Sequence, residues 1–161
     1  MNKQLPINEL VPLFQEILDS GSNVNFTTKG TSMLPMLGDG VDTVVLTKPM
    51  GKLKKYDLPL FYFRGSNSYV LHRVIQVEKD GTYVMCGDNR NICETNVTDD
   101  DIIAVVTGFN RKGKDYSVKD LKYKIYCRFW VGKKKLKWKY YSIKEKIYPY
   151  YRKFFKKWVE N

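Results

Sequence analysis

The sequence predicts a mostly β body, preceded by one short amphipathic helix and followed by a basic helical tail. Three observations predict it. Between residues 23 and 109, short runs rich in Val, Ile, Tyr, Phe and Thr recur, punctuated by Gly and Asp. No long helical pattern alternates with these runs, which argues against a doubly wound sheet. The charge is also divided. Residues 1–110 carry 10 Lys+Arg and 13 Asp+Glu, a net of −3, whereas residues 111–161 carry 18 and 4, a net of +14. That last stretch holds 14 of the 23 aromatics and all three tryptophans (Trp130, Trp138, Trp158), so body and tail need separate explanations.

Taken in order, Asn8 reads as an N-cap, and Leu10, Leu13, Phe14, Ile17 and Leu18 follow the spacing of one apolar helix face. Pro12 is tolerable in a first turn, and Gly21 is a C-terminal stop. Strands are expected at about 23–29, 41–47, 58–64, 68–78, 82–86 and 102–109. Lys79-Asp80-Gly81-Thr82 places Asp-Gly between two of them, a hairpin signal. Asp42 and Asp57 read as turn residues, and Cys86 and Cys93 as small buried hydrophobes. In the tail, Leu121, Ile125, Phe129 and Trp130 recur at helical spacing. So do Ile143, Ile147, Tyr151, Phe154, Phe155 and Trp158, with lysines and arginines around them, Arg152, Lys153, Lys156 and Lys157 among them. The expected organisation is a helix in 1–22, a β domain in 23–112 and a basic aromatic helical tail in 113–161.

A chain of 161 residues supplies one ordinary domain and an appendage, too little for two catalytic domains. A hydrophobic share of 43% excludes a wholly disordered chain. No run approaches the roughly 18 apolar residues of a membrane span. The N-terminus lacks the apolar core and cleavage site of a secretory signal, so the expected location is cytoplasmic. Three cysteines without a Cys-x-x-Cys, and a single histidine, give no zinc site, disulfide framework or other cofactor to expect. The tail fits three partners. Nucleic acid would use lysines on phosphates and rings on bases, an anionic membrane would take lysines at head groups and aromatics at the interface, and a protein would take a packed basic helix. Apolar residues at helical spacing with lysine around them favour the membrane, on its inner face; no helix–turn–helix or basic-zipper pattern supports DNA.

Three segments carry residues suited to chemistry. In Lys29-Gly30-Thr31-Ser32-Met33-Leu34-Pro35, a serine beside glycine follows a strand in a turn. There its hydroxyl can be exposed, and backbone N–H groups can meet an oxyanion. Alone this describes an ordinary turn. In Val70-Leu71-His72-Arg73-Val74, alternation sets His72 on the face of Val70 and Val74, where an imidazole is desolvated and the neutral, proton-accepting ring is favoured. A core histidine satisfied by one hydrogen bond is the plainer reading, but His72 is the only histidine available to Ser32. Alternation points Arg73 away from His72, toward a surface or inter-strand ion pair. In Cys86-Gly87-Asp88-Asn89-Arg90, the Asp either caps a turn or orients an imidazole.

The order Gly-x-Ser-Met-x-Pro, then Leu-His-Arg-Val-Ile, then Gly-Asp-Asn-Arg resembles the signal peptidase I / LexA-type serine peptidases over about residues 24–110. It looks most like their small bacterial members without a transmembrane anchor. The resemblance implies bent, coiled β-sheets and serine endopeptidase chemistry. Ser32 becomes the nucleophile. His72 takes the place of the lysine base of many bacterial signal peptidases, as in the histidine-bearing branch, and Asp88 is the third member. Two departures stand out. Gly30 replaces a serine that helps form the oxyanion hole in some members, leaving backbone N–H groups, Ser32's own foremost. The family's second Asp beyond Gly-Asp-Asn is missing, so the third member is open among Asp88, Glu94 and Asp99. The expected substrate is a precursor or leader peptide laid as a strand beside Ser32 along 24–29, touching Gly30, Thr31, Met33 and Pro35. The expected function is a hydrolase acting peripherally at a membrane. The alternatives are a non-catalytic peptide-binding or membrane-adaptor domain and a LexA-like self-cleaving regulator. The last needs an N-terminal helix–turn–helix, and only about 20 residues precede the first expected strand.

Overall fold

The computed structural model describes residues 6–159, with side chains to residue 149. It contains helix α1 (Ile7–Asp19), nine strands and helix α2 (Leu121–Val159). The strands are β1 (Val24–Thr27), β2 (Thr43–Thr47), β3 (Pro59–Phe63), β4 (Ser68–Leu71), β5 (Arg73–Val77), β6 (Tyr83–Cys86), β7 (Glu94–Val97), β8 (Ile102–Arg111) and β9 (Lys114–Ser117). The chain is therefore mostly β between two helices. Two compact units are present: one runs to Ile125, and the other is the helical segment from Tyr126 onward.

Six strands form one antiparallel sheet in the order β1-β2-β8-β3-β4, with β9 also paired to β8. A second sheet has the order β5-β6-β7. Bulges between Val45 and Leu46 on β2 and between Leu60 and Phe61 on β3 interrupt the pairing with β8 and increase its twist. The six-stranded sheet curls until β1 and β4, its opposite edges, line one groove. Leu53, Phe61, Val74, Tyr83, Met85 and Val97 fill the space between the two sheets. Tyr83 is wholly buried, so its hydroxyl must be satisfied; it donates to Asp99 and accepts from the Leu53 N–H.

The helix begins two residues earlier than expected, after Pro6, and Asn8 lies inside its first turn. Its buried positions are Val11, Phe14 and Leu18, whereas Leu13 is half exposed, because the covered face is turned toward Val11. Phe14 meets Phe26 of β1 edge-on at 5.5 Å. Gly21, at φ +83°, ends the helix: its N–H reaches Leu18 and that of Ser22 reaches Ile17. The Asp80-Gly81 hairpin joins β5 and β6, and Asp42 and Asp57 accept backbone N–H bonds within their turns. Cys86 is buried, Cys93 only partly. The expected strand 68–78 is two strands in different sheets, and β7 and β9 were not anticipated. Both are short, and Glu94–Val97 shows no alternation. Tyr151, Phe154, Phe155, Trp158, Arg152, Lys153, Lys156 and Lys157 lie outside the residues whose side chains are described.

One 3₁₀ turn, Asp99–Asp101, starts the long central strand β8. Asp101 Oδ2 accepts from the Thr98 N–H and hydroxyl at 2.9 and 2.8 Å, and Oδ1 accepts from Arg64 Nε at 2.9 Å. Burial alone would raise its pKa, but these donors outweigh it and hold the carboxyl below the usual aspartate range. Asp101→Ala should cost about 1–3 kcal/mol at neutral pH. A depressed folded-state pKa contributes stability above the unfolded value of about 3.9, and that stability is lost as pH falls through the folded value. Urea unfolding should therefore separate variant and parent at pH 7 and bring them together in strong acid.

Candidate active site

His72 occupies the single-residue break between β4 and β5, where the chain leaves one sheet for the other. Leu71 pairs with Leu60 on one side of it and Arg73 with Cys86 on the other, so both sheets fix its backbone. The ring is 4% exposed. Its Nδ1 lies 2.9 Å from Glu94 Oε2. A carboxylate accepts, so in the neutral ring Nδ1 carries the hydrogen and Nε2 the lone pair. Glu94 opens β7 and reaches the histidine because it pairs opposite Met85.

Ser32 lies in a run of tight turns from Thr31 to Leu37. The Leu34 N–H donates to Thr31 O, and those of Met36 and Leu37 donate to Met33 O. Gly30, at φ +93°, supplies the left-handed residue that leads in, and its N–H donates to Asp39 Oδ1 at 2.7 Å. Asn89 staples this turn to the Gly-Asp-Asn segment: its backbone N–H donates to Ser32 O at 2.8 Å and its side-chain Nδ2 to Thr31 O at 3.1 Å.

Gly87 shows how close the two turns come to the imidazole. A Cβ at Gly87 would stand 2.7 Å from Ser32 O, 2.8 Å from His72 Nε2 and 3.0 Å from Arg90 Cγ. The backbone carbonyl of Ser32 and the Nε2 of His72 therefore both pack against Gly87. Among the described residues, neither Ser32 Oγ nor His72 Nε2 is hydrogen-bonded elsewhere, and the N–H groups of Thr31, Ser32 and Met33 have no acceptor. A hydroxyl, an imidazole oriented by a carboxylate and uncommitted backbone donors are the set an acyl transfer requires.

Asp88 does not complete this set. Its two oxygens accept from Arg73 Nε at 2.9 Å and Nη2 at 2.8 Å, a buried bidentate pair. Arg73 is wholly buried and also donates to Tyr56 O, Tyr123 Oη and Met36 Sδ. Of the three acids left open for the third position, Glu94 stands against His72, whereas Asp88, placed there by the resemblance, is engaged by Arg73. Asp99 accepts from Tyr83, away from the imidazole. Arg73 makes an ion pair, as one of its two expected placements had it, but not at the surface. The strand break at His72 and a bulge at Ile75 interrupt alternation, and Arg73, Val74 and Ile75 are all buried.

An apolar groove of about 540 Å³ runs from Ser32 between the edges of β1 and β4. Gly30, Ser32 and Met33 line it, as does Lys29, but Thr31 and Pro35 do not: Pro35 is exposed beyond the turn after a cis bond from Leu34. Gly30 cannot offer its N–H there, since Asp39 holds it. The opposite wall (Tyr69, Val70 and Leu71) and the end formed by Ile7 and Leu10 of α1 were not anticipated as groove residues. They reach it only through the curl of the sheet, which leaves no mark in local sequence.

Compared with known protein families and with curated proteins, the sequence matches none.

The two acids should separate on substitution. Asp88→Asn leaves Arg73 buried without a full charge opposite it and should lower stability by about 3–5 kcal/mol. Glu94→Gln, isosteric and at the rim of the imidazole, should change stability by less than about 1 kcal/mol. Chemical denaturation of the two variants side by side makes the comparison.

Proposed function

We propose that the chain is a serine endopeptidase of the signal peptidase I / LexA type, with Ser32 as nucleophile, His72 as general base and Glu94 as the residue that orients it. The observation that carries the reading is the packing of the Ser32 backbone carbonyl and His72 Nε2 against the same glycine, Gly87, with Nδ1 held by a carboxylate. Motif order supports it independently: Gly-x-Ser-Met-x-Pro, Leu-His-Arg-Val and Gly-Asp-Asn occur in the sequence in that family's order.

In the reaction Ser32 Oγ passes its proton to Nε2 as it attacks a peptide carbonyl carbon. Glu94 stabilises the imidazolium that forms. The oxyanion is met by N–H groups of the Thr31–Met33 turn, already in place and not bonded elsewhere. As the C–N bond breaks, Nε2 returns the proton to the leaving amine, and an acyl ester remains on Ser32. Water then attacks the ester carbonyl as Nε2 takes its proton, Nε2 returns that proton to Oγ as the C–O bond breaks, and the acid product leaves with Ser32 restored.

The substrate is an extended peptide. β1 and β4 end the six-stranded sheet on either side of the groove, so a strand laid between them finds unpaired main-chain donors and acceptors. Phe26, Met33, Leu37, Leu60 and Val70 line the groove, which selects apolar side chains next to the scissile bond.

A fluorophosphonate probe should label the folded protein at Ser32, located by peptide mapping, and Ser32→Ala should abolish the adduct. His72→Ala should slow labelling by about 10²–10⁴. Labelling that survives unchanged would transfer the base role to another group, Lys29 in the groove wall first. Gly87→Ala, which pushes a methyl group between Ser32 and the ring, should slow labelling by about 10².

A further inference from the structure

We propose that one face of α2 is a docking surface for an anionic lipid bilayer. The inference rests on the helix alone and not on the reading of Ser32. At 100° per residue, Phe129, Leu136, Ile143 and Ile147 fall within an arc of about 40°. All four are exposed, each by roughly half or more of its surface (47–72%). At 1.5 Å per residue they span about 27 Å of the helix. Soluble proteins rarely leave an apolar row of that length in water.

The charge around it identifies the occupant. Between residues 121 and 149 the helix carries ten Lys+Arg and one acid, Glu145. Arg128, Lys135 and Lys146 follow one border of the stripe, and Lys122, Lys133 and Lys144 follow the other, all exposed. A helix lying in a lipid interface needs this arrangement: aliphatic side chains sink toward the acyl chains, while long basic side chains on both flanks reach up to phosphate groups. Trp130 and Tyr126, stacked at 5.7 Å, add the amphipathic rings that settle at head-group depth.

Two other occupants fit less well. In a second copy of the helix, with Phe129, Leu136 and Ile143 at one seam position, the position three residues on is Gly132, Lys139 and Lys146, so pairing would bring like charges into the seam. Nucleic acid would satisfy the lysines, but it gives Leu136, Ile143 and Ile147 nothing to bury against, since aliphatic side chains do not stack on bases. No helix among the described residues is long and apolar enough to cross a membrane. The helix therefore lies on the bilayer.

The test is co-sedimentation of the full chain with phosphatidylcholine vesicles, with and without phosphatidylglycerol. Binding should require the anionic lipid. Replacing Leu136, Ile143 and Ile147 together by Ala keeps helix propensity and should weaken binding by about tenfold or more. Replacing Lys135, Lys144 and Lys146 by Gln should cost about fivefold for each charge removed. Ser32→Ala should bind as the parent does, so failure of the peptidase reading leaves this result untouched. The proposal is overturned if the alanine variant binds equally well, if vesicles without anionic lipid bind equally well, or if duplex DNA at the same salt binds tighter than the vesicles. It is also overturned by a lipid-free dimer that the alanine substitutions dissolve.

Discussion

A guanidinium with no access to water is the constraint around which the body is arranged. Burying a charge is costly unless every donor finds an acceptor and a counter-charge is present. Arg73 meets that condition only because four separate segments converge on it: Asp88 from the Gly-Asp-Asn turn, Tyr56 O from the loop before β3, Met36 from the Ser32 turn and Tyr123 from the first turn of α2. Displacing any one of them leaves part of a buried ion unsatisfied. The pair thus acts less as a source of net stability than as a fixture that allows one arrangement of those segments and penalises others.

That fixture bears on the chemistry through the residue next to it. His72 has no freedom to choose its place: Arg73 is tied on one side, Leu71 is paired in the other sheet, and the break between the sheets falls on the histidine itself. The Gly-Asp-Asn turn, locked from below by Arg73, holds the Ser32 turn from above through Asn89. Gly87 is the point where the three pieces would collide if any were larger. Preorganisation of this kind lets backbone donors stabilise developing charge without first rearranging.

Much of this was readable from residues. Period-2 runs located six strand regions, Asp-Gly marked the β5–β6 hairpin, and Gly21 marked the end of α1. Ser32 and His72 were singled out by residue type and by scarcity, since one histidine leaves no competing imidazole. What escaped was set by long-range geometry. Alternation fails at 72–75 because a sheet junction and a bulge fall there, so it does not reveal that Arg73 is wholly buried with its ion-pair partner Asp88. The choice between Asp88 and Glu94 depends on which strand lies opposite Met85, a matter of register between β6 and β7 that no local spacing encodes. The second wall of the groove likewise exists only because the sheet curls.

The lone histidine makes the central claim open to direct measurement. In ¹⁵N-labelled protein every imidazole signal belongs to His72. The hydrogen-bonded arrangement requires the Nδ1–H tautomer with a strongly downfield proton, and a change at Nε2 when a fluorophosphonate occupies Ser32. An Nε2–H tautomer in the free protein, or a ring spectrum indifferent to modification of Ser32, would contradict it.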